Sequence, residues 1–230
     1  MSTPVVRAGG VRKRRTQEER SATTRREIVR AAADSIADVG LNQSTITVIA
    51  WKAGVTSGAI QHHFASRDEL LLAVVEEFGK ALADDPATHE GDAEPVARRV
   101  RSIVQRYWSL FGGRQYLAVM KIWLGTQVDA PLYREITGQM RWFERRFDRE
   151  WVELFSDCGA TPQSIANARH VALAAMRGLA LSLSFTKDRA RTAAEVALLE
   201  EMVTRAIEGE RSLPARTLAS RSVAAADSEC

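Results

Sequence analysis

The sequence predicts an all-α protein, with a small N-terminal three-helix domain and a larger helical second half. Apolar residues recur every three or four positions through most of the 230 residues, as they do in amphipathic helices. No stretch alternates apolar and polar residues in the manner of a β-strand. Short polar or glycine-containing segments separate the periodic stretches. At 45% hydrophobic residues, the chain can bury a substantial core.

Several functional classes find no support in the composition. The most apolar run, residues 171–185, contains Arg177 and is shorter than the ~20 residues needed to span a bilayer. The N-terminus is basic and polar, without the apolar region of a secretory signal. Cys158 and Cys230 are too few and too far apart for a disulfide framework or a metal site. We therefore expect a cytoplasmic protein with no cofactor, no metal and no membrane partner.

Residues 45–70 carry the most informative pattern, two short helices joined by a tight turn. Apolar residues at positions 46, 49, 50 and 53 form one stripe of a two-turn helix. Gly54 can end this helix in a left-handed conformation, and Thr56 can cap the next one. In the second helix Ile60 and Phe64 lie four residues apart and face inward. This pattern predicts a helix-turn-helix, whose second helix can enter the major groove of DNA.

The charge pattern of the same stretch favours a nucleic-acid partner. No Asp or Glu occurs between Asp38 and Asp68, although 27% of the chain is charged. Carboxylates in this stretch would repel phosphates. The alternative is an uncharged pair of core helices, but the second helix is too short and too polar to be fully buried. Eight side chains could donate hydrogen bonds to phosphates: Thr45, Thr47, Lys52, Thr56, Ser57, Gln61, His62 and His63.

These motifs resemble the TetR/AcrR family of bacterial transcription regulators over about residues 25–78. The similarity is carried by Asp38-Val39-Gly40, by the Thr-x-x-x-Ile-Ala of residues 45–50, by Ala53-Gly54-Val55 and by the His-Phe-x-x-Arg-Asp-x-Leu of residues 63–70. The family usually has Tyr, which contacts a phosphate, where this chain has Gln61, and Lys where it has Arg67. Together, the donors and the resemblance predict these DNA contacts: Thr45, Thr47, Thr56, Ser57, Gly58, Ala59, Gln61, His62, His63 and Arg67.

The N-terminal region combines a basic arm with the first domain. Residues 1–30 carry a net charge of +6, whereas the remainder of the chain nets −3. We expect residues 1–20 to form a disordered arm that contacts DNA, although a solvated tail is the alternative. The DNA-binding domain is predicted at residues 21–83, with its first helix from Ser21 or Thr24 to Val39. Ser66 and Glu69 predict a capping box that opens its fourth helix.

The second half, residues 94–208, is predicted to be helical throughout and to follow a polar linker at residues 84–94. Thr161-Pro162 is expected to open a helix that runs to about Phe185. A capping box formed by Thr192 and Glu195 is expected to open the last helix. Residues 209–230 are predicted to be a disordered tail.

Bulky apolar side chains are concentrated in this second half. Plain core packing explains such stripes more often than a ligand site does. The resemblance nevertheless implies a cavity for a small effector, and few charged residues fall on the inward stripes, so an apolar effector is expected. The predicted lining is Phe78, Trp108, Phe111, Met120, Trp123, Phe143, Phe147, Trp151 and Met176.

The last two helices differ in character from the others, because small or branched residues suited to close helix approach lie at Ala172, Ala175, Gly178 and positions 180–184. In the TetR/AcrR family, which this chain resembles, two such helices pair with their copies in a second subunit. The resemblance therefore implies a homodimer on a palindromic operator. A buried intramolecular hairpin is the alternative.

An enzyme is the main competing class of function. The sequence contains no glycine-rich phosphate loop and no nucleophile elbow, and no residue is predicted to be catalytic. A ligand-responsive regulator is therefore the favoured interpretation, and the resemblance implies a repressor, since repression is the family's common mode. A helical DNA-binding architectural or interaction protein without an effector stays open as the alternative.

Overall fold

The computed structural model describes residues 16–83 and 94–209. Within these two ranges all regular elements are helices, which confirms the all-α prediction. None of the described helices is long and apolar enough to cross a membrane. The helices are α1 (Gln17–Val39), α2 (Ile46–Ala53), α3 (Ser57–His63), α4 (Arg67–Ala83), α5 (Val96–Phe111), α6 (Arg114–Gly125), α7 (Ala130–Leu154), α8 (Pro162–Thr186) and α9 (Arg189–Glu208).

The helices form two compact units that do not follow the order of the chain. The first unit contains α1 to α4, α6 and α7 as far as residue 143. The second contains α5, the remainder of α7, a 3-10 turn at Ser156–Cys158, α8 and α9. The predicted boundary between residues 21–83 and 94–208 separates α6 from the helices on which it packs. Because α6 packs extensively on α1 and also on α4, contacts group it with the N-terminal helices.

Helix α1 begins earlier than predicted. The Thr16 hydroxyl accepts a hydrogen bond from the Glu19 backbone N–H at 3.2 Å, and the Thr16 N–H donates to the Glu19 carboxylate at 2.8 Å. This capping box starts the helix at Gln17, so the expected start at Ser21 or Thr24 is wrong. Residues 17–20, expected in the disordered arm, are helical. The rest of that arm, residues 1–15, lies outside the described residues.

Capping chemistry also corrects the beginning of α9. Asp188 accepts from the Arg191 N–H at 3.0 Å and caps a helix that begins at Arg189. Thr192 therefore lies inside the first turn, where its hydroxyl donates to the Asp188 carbonyl at 2.8 Å. The predicted capping box of Thr192 with Glu195 is wrong, because Glu195 pairs with Arg191 instead.

The other predicted helix starts agree better with the structure. Thr161 caps α8 as expected, since its hydroxyl accepts from the Ser164 N–H at 3.2 Å. Ser66 accepts from the Glu69 N–H at 3.1 Å, while the Glu69 carboxylate accepts from the Ala65 N–H at 2.7 Å. The capping box at α4 therefore differs from the standard form by one residue, because the Glu69 carboxylate accepts from the N–H of Ala65 and not from that of Ser66. The predicted linker falls largely on residues 84–93, and the predicted tail on residues 210–230, and both ranges lie outside the described residues.

The second unit has a more polar interior than expected. Arg99, 3% exposed, donates to the Leu154 carbonyl at 2.7 Å and to Asp157 Oδ1 at 2.6 Å. Arg169, 0% exposed, donates to Asp148 Oδ1 at 2.6 Å. Both arginines occupy inward positions between apolar residues, so the few charges on the inward stripes include two buried cations. Carboxylate and carbonyl acceptors make this burial tolerable.

Candidate nucleic-acid interface

The turn between α2 and α3 is fixed by backbone hydrogen bonds. Gly54 adopts φ 67° and ψ 29°, the left-handed conformation that favours glycine. Its N–H donates to the Trp51 carbonyl at 3.2 Å, and the Val55 N–H donates to the Ala50 carbonyl at 3.0 Å. This is the double closure of a Schellman motif. The chain therefore leaves α2 in a defined direction, and only three residues separate α2 from α3.

Helix α3 is held by two apolar anchors. Ile60 is 1% exposed and Phe64 is 3% exposed, and both face the interior of the first unit. The Arg25 guanidinium lies 4.8 Å from the centre of the Phe64 ring. At the other end the Thr56 hydroxyl accepts from the Ala59 N–H at 3.1 Å. With its inward face fixed in this way, the helix presents its remaining side chains away from the core.

The structure presents most of the predicted DNA contacts to solvent. Thr45 and Thr56 cap α2 and α3, and each hydroxyl that accepts a backbone N–H still has its own proton to donate. Exposed positions are Thr45, Thr47, Thr56, Gly58, Gln61 and His62, and half-buried positions are Ser57, Ala59, His63 and Arg67. Seven of these ten residues lie on α3 or cap it, Arg67 begins α4, and Thr45 and Thr47 lie at the start of α2.

Arg67 has a structural contact that the sequence pattern did not indicate. Its Nη2 donates to the Leu41 carbonyl at 2.5 Å, across 26 positions of sequence. This bond ties the start of α4 to the turn between α1 and α2. The side chain is thereby held beside the helix-turn-helix, and it retains other guanidinium N–H groups for a phosphate.

An ionic cluster secures the side of α2 that adjoins α1. The Lys52 ammonium lies 2.6 Å from Asp38 Oδ2, and Arg114 of α6 donates to Asp38 Oδ1. Hydrogen bonds from Arg114 and then from Lys52 lower the pKa of Asp38 to about 2. Arg114 also lies 3.5 Å from Asp34 Oδ1, and Lys121 donates to the Ala37 carbonyl at 2.8 Å. This cluster links α1, α2 and α6, and it neutralises the carboxylate that precedes the helix-turn-helix.

The family model of bacterial regulatory proteins of the tetR family matches residues 28–74, from α1 into α4. The match covers the capped, Schellman-closed pair of helices described above. The chain belongs to the TetR family. It is a DNA-binding transcriptional regulator, and α2 and α3 are its helix-turn-helix.

This TetR-family chain is similar over most of its length to several regulators. It is 27% identical over 176 residues to the HTH-type transcriptional regulator BetI of Stenotrophomonas maltophilia, covering 73% of this chain and 87% of BetI. The fatty acid degradation regulator FadR from Bacillus halodurans superposes with a TM-score of 0.65 at 17% identity, covering 84% of this chain and 97% of FadR. FadR from Bacillus subtilis, solved with stearoyl-CoA, has a TM-score of 0.60 at 17% identity, covering 79% and 98% of the two chains.

The predicted effector-lining residues of the TetR-family chain fall in both units. In the first unit Phe78 is buried with its ring centre 5.5 Å from that of Tyr116, and Met120, Trp123 and Phe143 are half-buried. In the second unit Trp108 is half-buried, and the fully buried members are Phe111, Phe147, Trp151 and Met176.

The second unit carries a groove between α8 and α9. Its volume is about 340 Å³, and its walls include Val171, Met202 and Val203 but none of the nine predicted effector-lining residues. Val171 is 60% exposed and Met202 is 55% exposed. An apolar, solvent-facing groove on the last two helices is suited to a protein partner.

Metal-binding side chains do not cluster anywhere in residues 16–83 and 94–209. The His62 and His63 rings lie 5.5 Å apart with a 67° angle between their planes, as neighbours on α3 rather than as a ligand pair.

Proposed function

We propose that this TetR-family chain is a cytoplasmic homodimeric repressor that leaves a palindromic operator when a small, largely apolar effector binds. The surface of α2 and α3 is the observation that carries the proposal. It offers hydroxyl, amide and imidazole donors on a rigid turn, and no Asp or Glu lies between Asp38 and Asp68. A helix of this kind reads base edges while its neighbours contact phosphates.

The dimer follows from the apolar face of α8 and α9 and from the geometry of DNA reading. One three-helix reader makes too few contacts for tight and specific binding. A two-fold pair places its two recognition helices in successive major grooves about 34 Å apart. The groove at Val171 and Met202 is the surface on which we place the second copy.

The effector site belongs among the helices of residues 94–208. Support comes from the concentration of aromatic and methionine side chains there and from the stearoyl-CoA bound to the FadR relative from Bacillus subtilis. A long-chain acyl compound combines the expected apolar body with a polar end. The buried arginines of the second unit, Arg99 and Arg169, show that this region also accommodates charged groups.

Release requires that the effector distinguish two arrangements of the protein. To shift the populations of these two arrangements from 1:99 to 99:1, the effector must bind one of them more tightly by about 5.5 kcal/mol. Because α4 carries Arg67 beside the DNA-binding helices and Phe78 towards its far end, we propose that a shift of α4 repositions the recognition helices. A displacement of a few ångströms is then enough to forfeit contacts.

Thermodynamic reciprocity provides the test. A panel of apolar compounds that includes stearoyl-CoA is screened for binding to the purified protein by calorimetry, and each compound that binds is measured again with operator DNA present. Operator DNA must lower the affinity of the protein for the compound by the same factor by which the compound lowers its affinity for operator DNA. Compounds that bind equally well with and without operator would indicate an architectural protein without effector control.

A further inference from the structure

Trp51 is the most conspicuous exposed side chain of the helix-turn-helix. It is 83% exposed, although tryptophan is usually well buried in folded domains. Val48, three residues earlier on α2, is 38% exposed, whereas Ile49 and Ala50 on the opposite side are 1% and 4% exposed. An indole and a valine therefore form a small apolar patch on a helix that is otherwise anchored in the core.

The position of Trp51 relates this patch to the DNA-binding surface. Thr47 lies four residues before Trp51, so the two side chains point from the same side of α2. Thr47 is exposed and is one of the predicted DNA contacts. The Trp51 carbonyl also accepts the Gly54 N–H that closes the turn into α3. Trp51 is thus fixed between an exposed DNA-contact candidate and the turn that leads into the recognition helix.

The charges around Trp51 are compatible with a polyanion. Residues 39–67 contain no Asp or Glu. Asp38, just before them, is already paired with Lys52 and Arg114. Because the Lys52 ammonium is directed to Asp38, the cation next to Trp51 is engaged within the protein. The indole is therefore the largest side chain that meets solvent beside Thr47 and Val48 on this side of α2.

We propose that Trp51 is a further DNA-contact residue, which packs its ring on the sugar and base edges of the operator and donates its indole N–H to a phosphate. The proposal rests on the DNA-binding function of α2 and α3. An indole supplies a large rigid surface and one neutral donor. Apolar contact with a thymine methyl would add sequence preference. Because the donor is neutral, this contact releases no counterion.

The test compares Trp51→Ala with Trp142→Ala, a matched control on α7 of the same unit whose side chain is 50% exposed. Operator affinity is measured for each protein by fluorescence anisotropy over a series of salt concentrations. Trp51→Ala should weaken binding by about tenfold or more, since each subunit of a dimer loses apolar contact area. The slope of log affinity against log salt should stay unchanged, whereas loss of a cationic phosphate contact would reduce it by about 0.9. Trp142→Ala should bind as the wild type does.

Two outcomes would overturn the proposal. One is wild-type affinity in Trp51→Ala, and the other is an equal loss in both variants, which would reflect general damage. If the wild-type protein itself binds no DNA, the DNA-binding function fails and not only the role of Trp51.

A second measurement does not depend on the alanine variant. The fluorescence difference between the wild type and Trp51→Phe reports on Trp51 itself. Acrylamide should quench this Trp51 fluorescence less when operator DNA is present, because the DNA covers the ring. Quenching that operator leaves unchanged contradicts the contact.

Discussion

At the scale of single residues, Asp38 shows how one carboxylate can serve both fold and function. A free carboxylate beside the helix-turn-helix would repel DNA. Here Arg114 and Lys52 neutralise it and join α1 to α6 and α2. Neither partner was evident in the sequence, because they lie 76 and 14 positions away from Asp38. The absence of carboxylates after Asp38 was visible in the sequence, but the neutralisation of Asp38 itself required the fold.

The depressed pKa of Asp38 gives a pH-dependent prediction. Since its pKa falls from 3.8 to about 2 on folding, its ion pairs stabilise the protein above pH 3.8, and this contribution is lost as the pH falls towards 2. The difference in Tm between the wild type and Asp38→Asn should therefore shrink over that interval. Thermal melts at stepped pH values measure it.

Replacing the main partner gives the control. In Arg114→Ala the pKa of Asp38, followed by NMR, should rise towards its ordinary value, because the Arg114 hydrogen bond is the largest cause of the shift. A pKa that stays near 2 would assign the shift to another group.

At the scale of helices, local signals predicted the helix-turn-helix, but they misplaced the starts of α1 and α9 and did not predict long-range packing. The α2–turn–α3 unit was predictable because Thr45, Gly54 and Thr56 act on backbone groups within a few residues of themselves. The grouping of α6 with α1 was not, since its apolar stripe fits many partners equally well. Arg99 and Arg169 were missed for a related reason: their acceptors, Asp157 and Asp148, become neighbours only after folding.

The predicted contact sites show the same limit. The DNA-contact residues could be assembled from the sequence because they occupy one continuous stretch. The proposed effector-lining residues come from α4 to α8, and periodicity alone does not show which of their rings pack together. Phe143, for example, lies against Gly79 of α4, and only the structure pairs these two positions.

The contact between α4 and α7 predicts a contrast between two glycines. A Cβ at Gly79 would lie 1.7 Å from Phe143 Cζ, whereas a Cβ at Gly138 of α7 would meet nothing within 4 Å. Gly79→Ala should lower the free energy of unfolding by about 1–3 kcal/mol through overpacking. Gly138→Ala should raise it by up to about 1 kcal/mol through helix propensity. Urea denaturation compares the two variants, and equal effects would show that Phe143 does not pack on Gly79.

At the scale of the whole molecule, the proposed repressor needs two copies of the chain that act together. Within the second unit, Val171 and Met202 expose apolar surface that a partner could cover. Ala175, on the same helix, is half-buried, so a charge there would disturb the fold as well as an interface. Val171 is therefore the better site to test.

Val171→Glu should convert the dimer to monomers in sedimentation velocity and should lose operator binding in parallel, because a buried unpaired carboxylate is strongly unfavourable at an interface. Val128→Glu is the matched control, since Val128 is 96% exposed in the chain between α6 and α7. That variant should remain dimeric. A Val171→Glu protein that stays dimeric with normal helicity would place the interface elsewhere.

Selection of bound fragments from the source genome with purified protein tests whether α2 and α3 read an operator. Gln61→Glu serves as the control, because it is nearly isosteric and places a carboxylate on the exposed face of α3. The wild type should enrich a (pseudo)palindromic sequence with half-site centres about 10 base pairs apart, or a multiple of that spacing. Gln61→Glu should enrich none. Failure of the wild type to enrich any sequence, or equal enrichment by both proteins, would show that α2 and α3 do not read an operator.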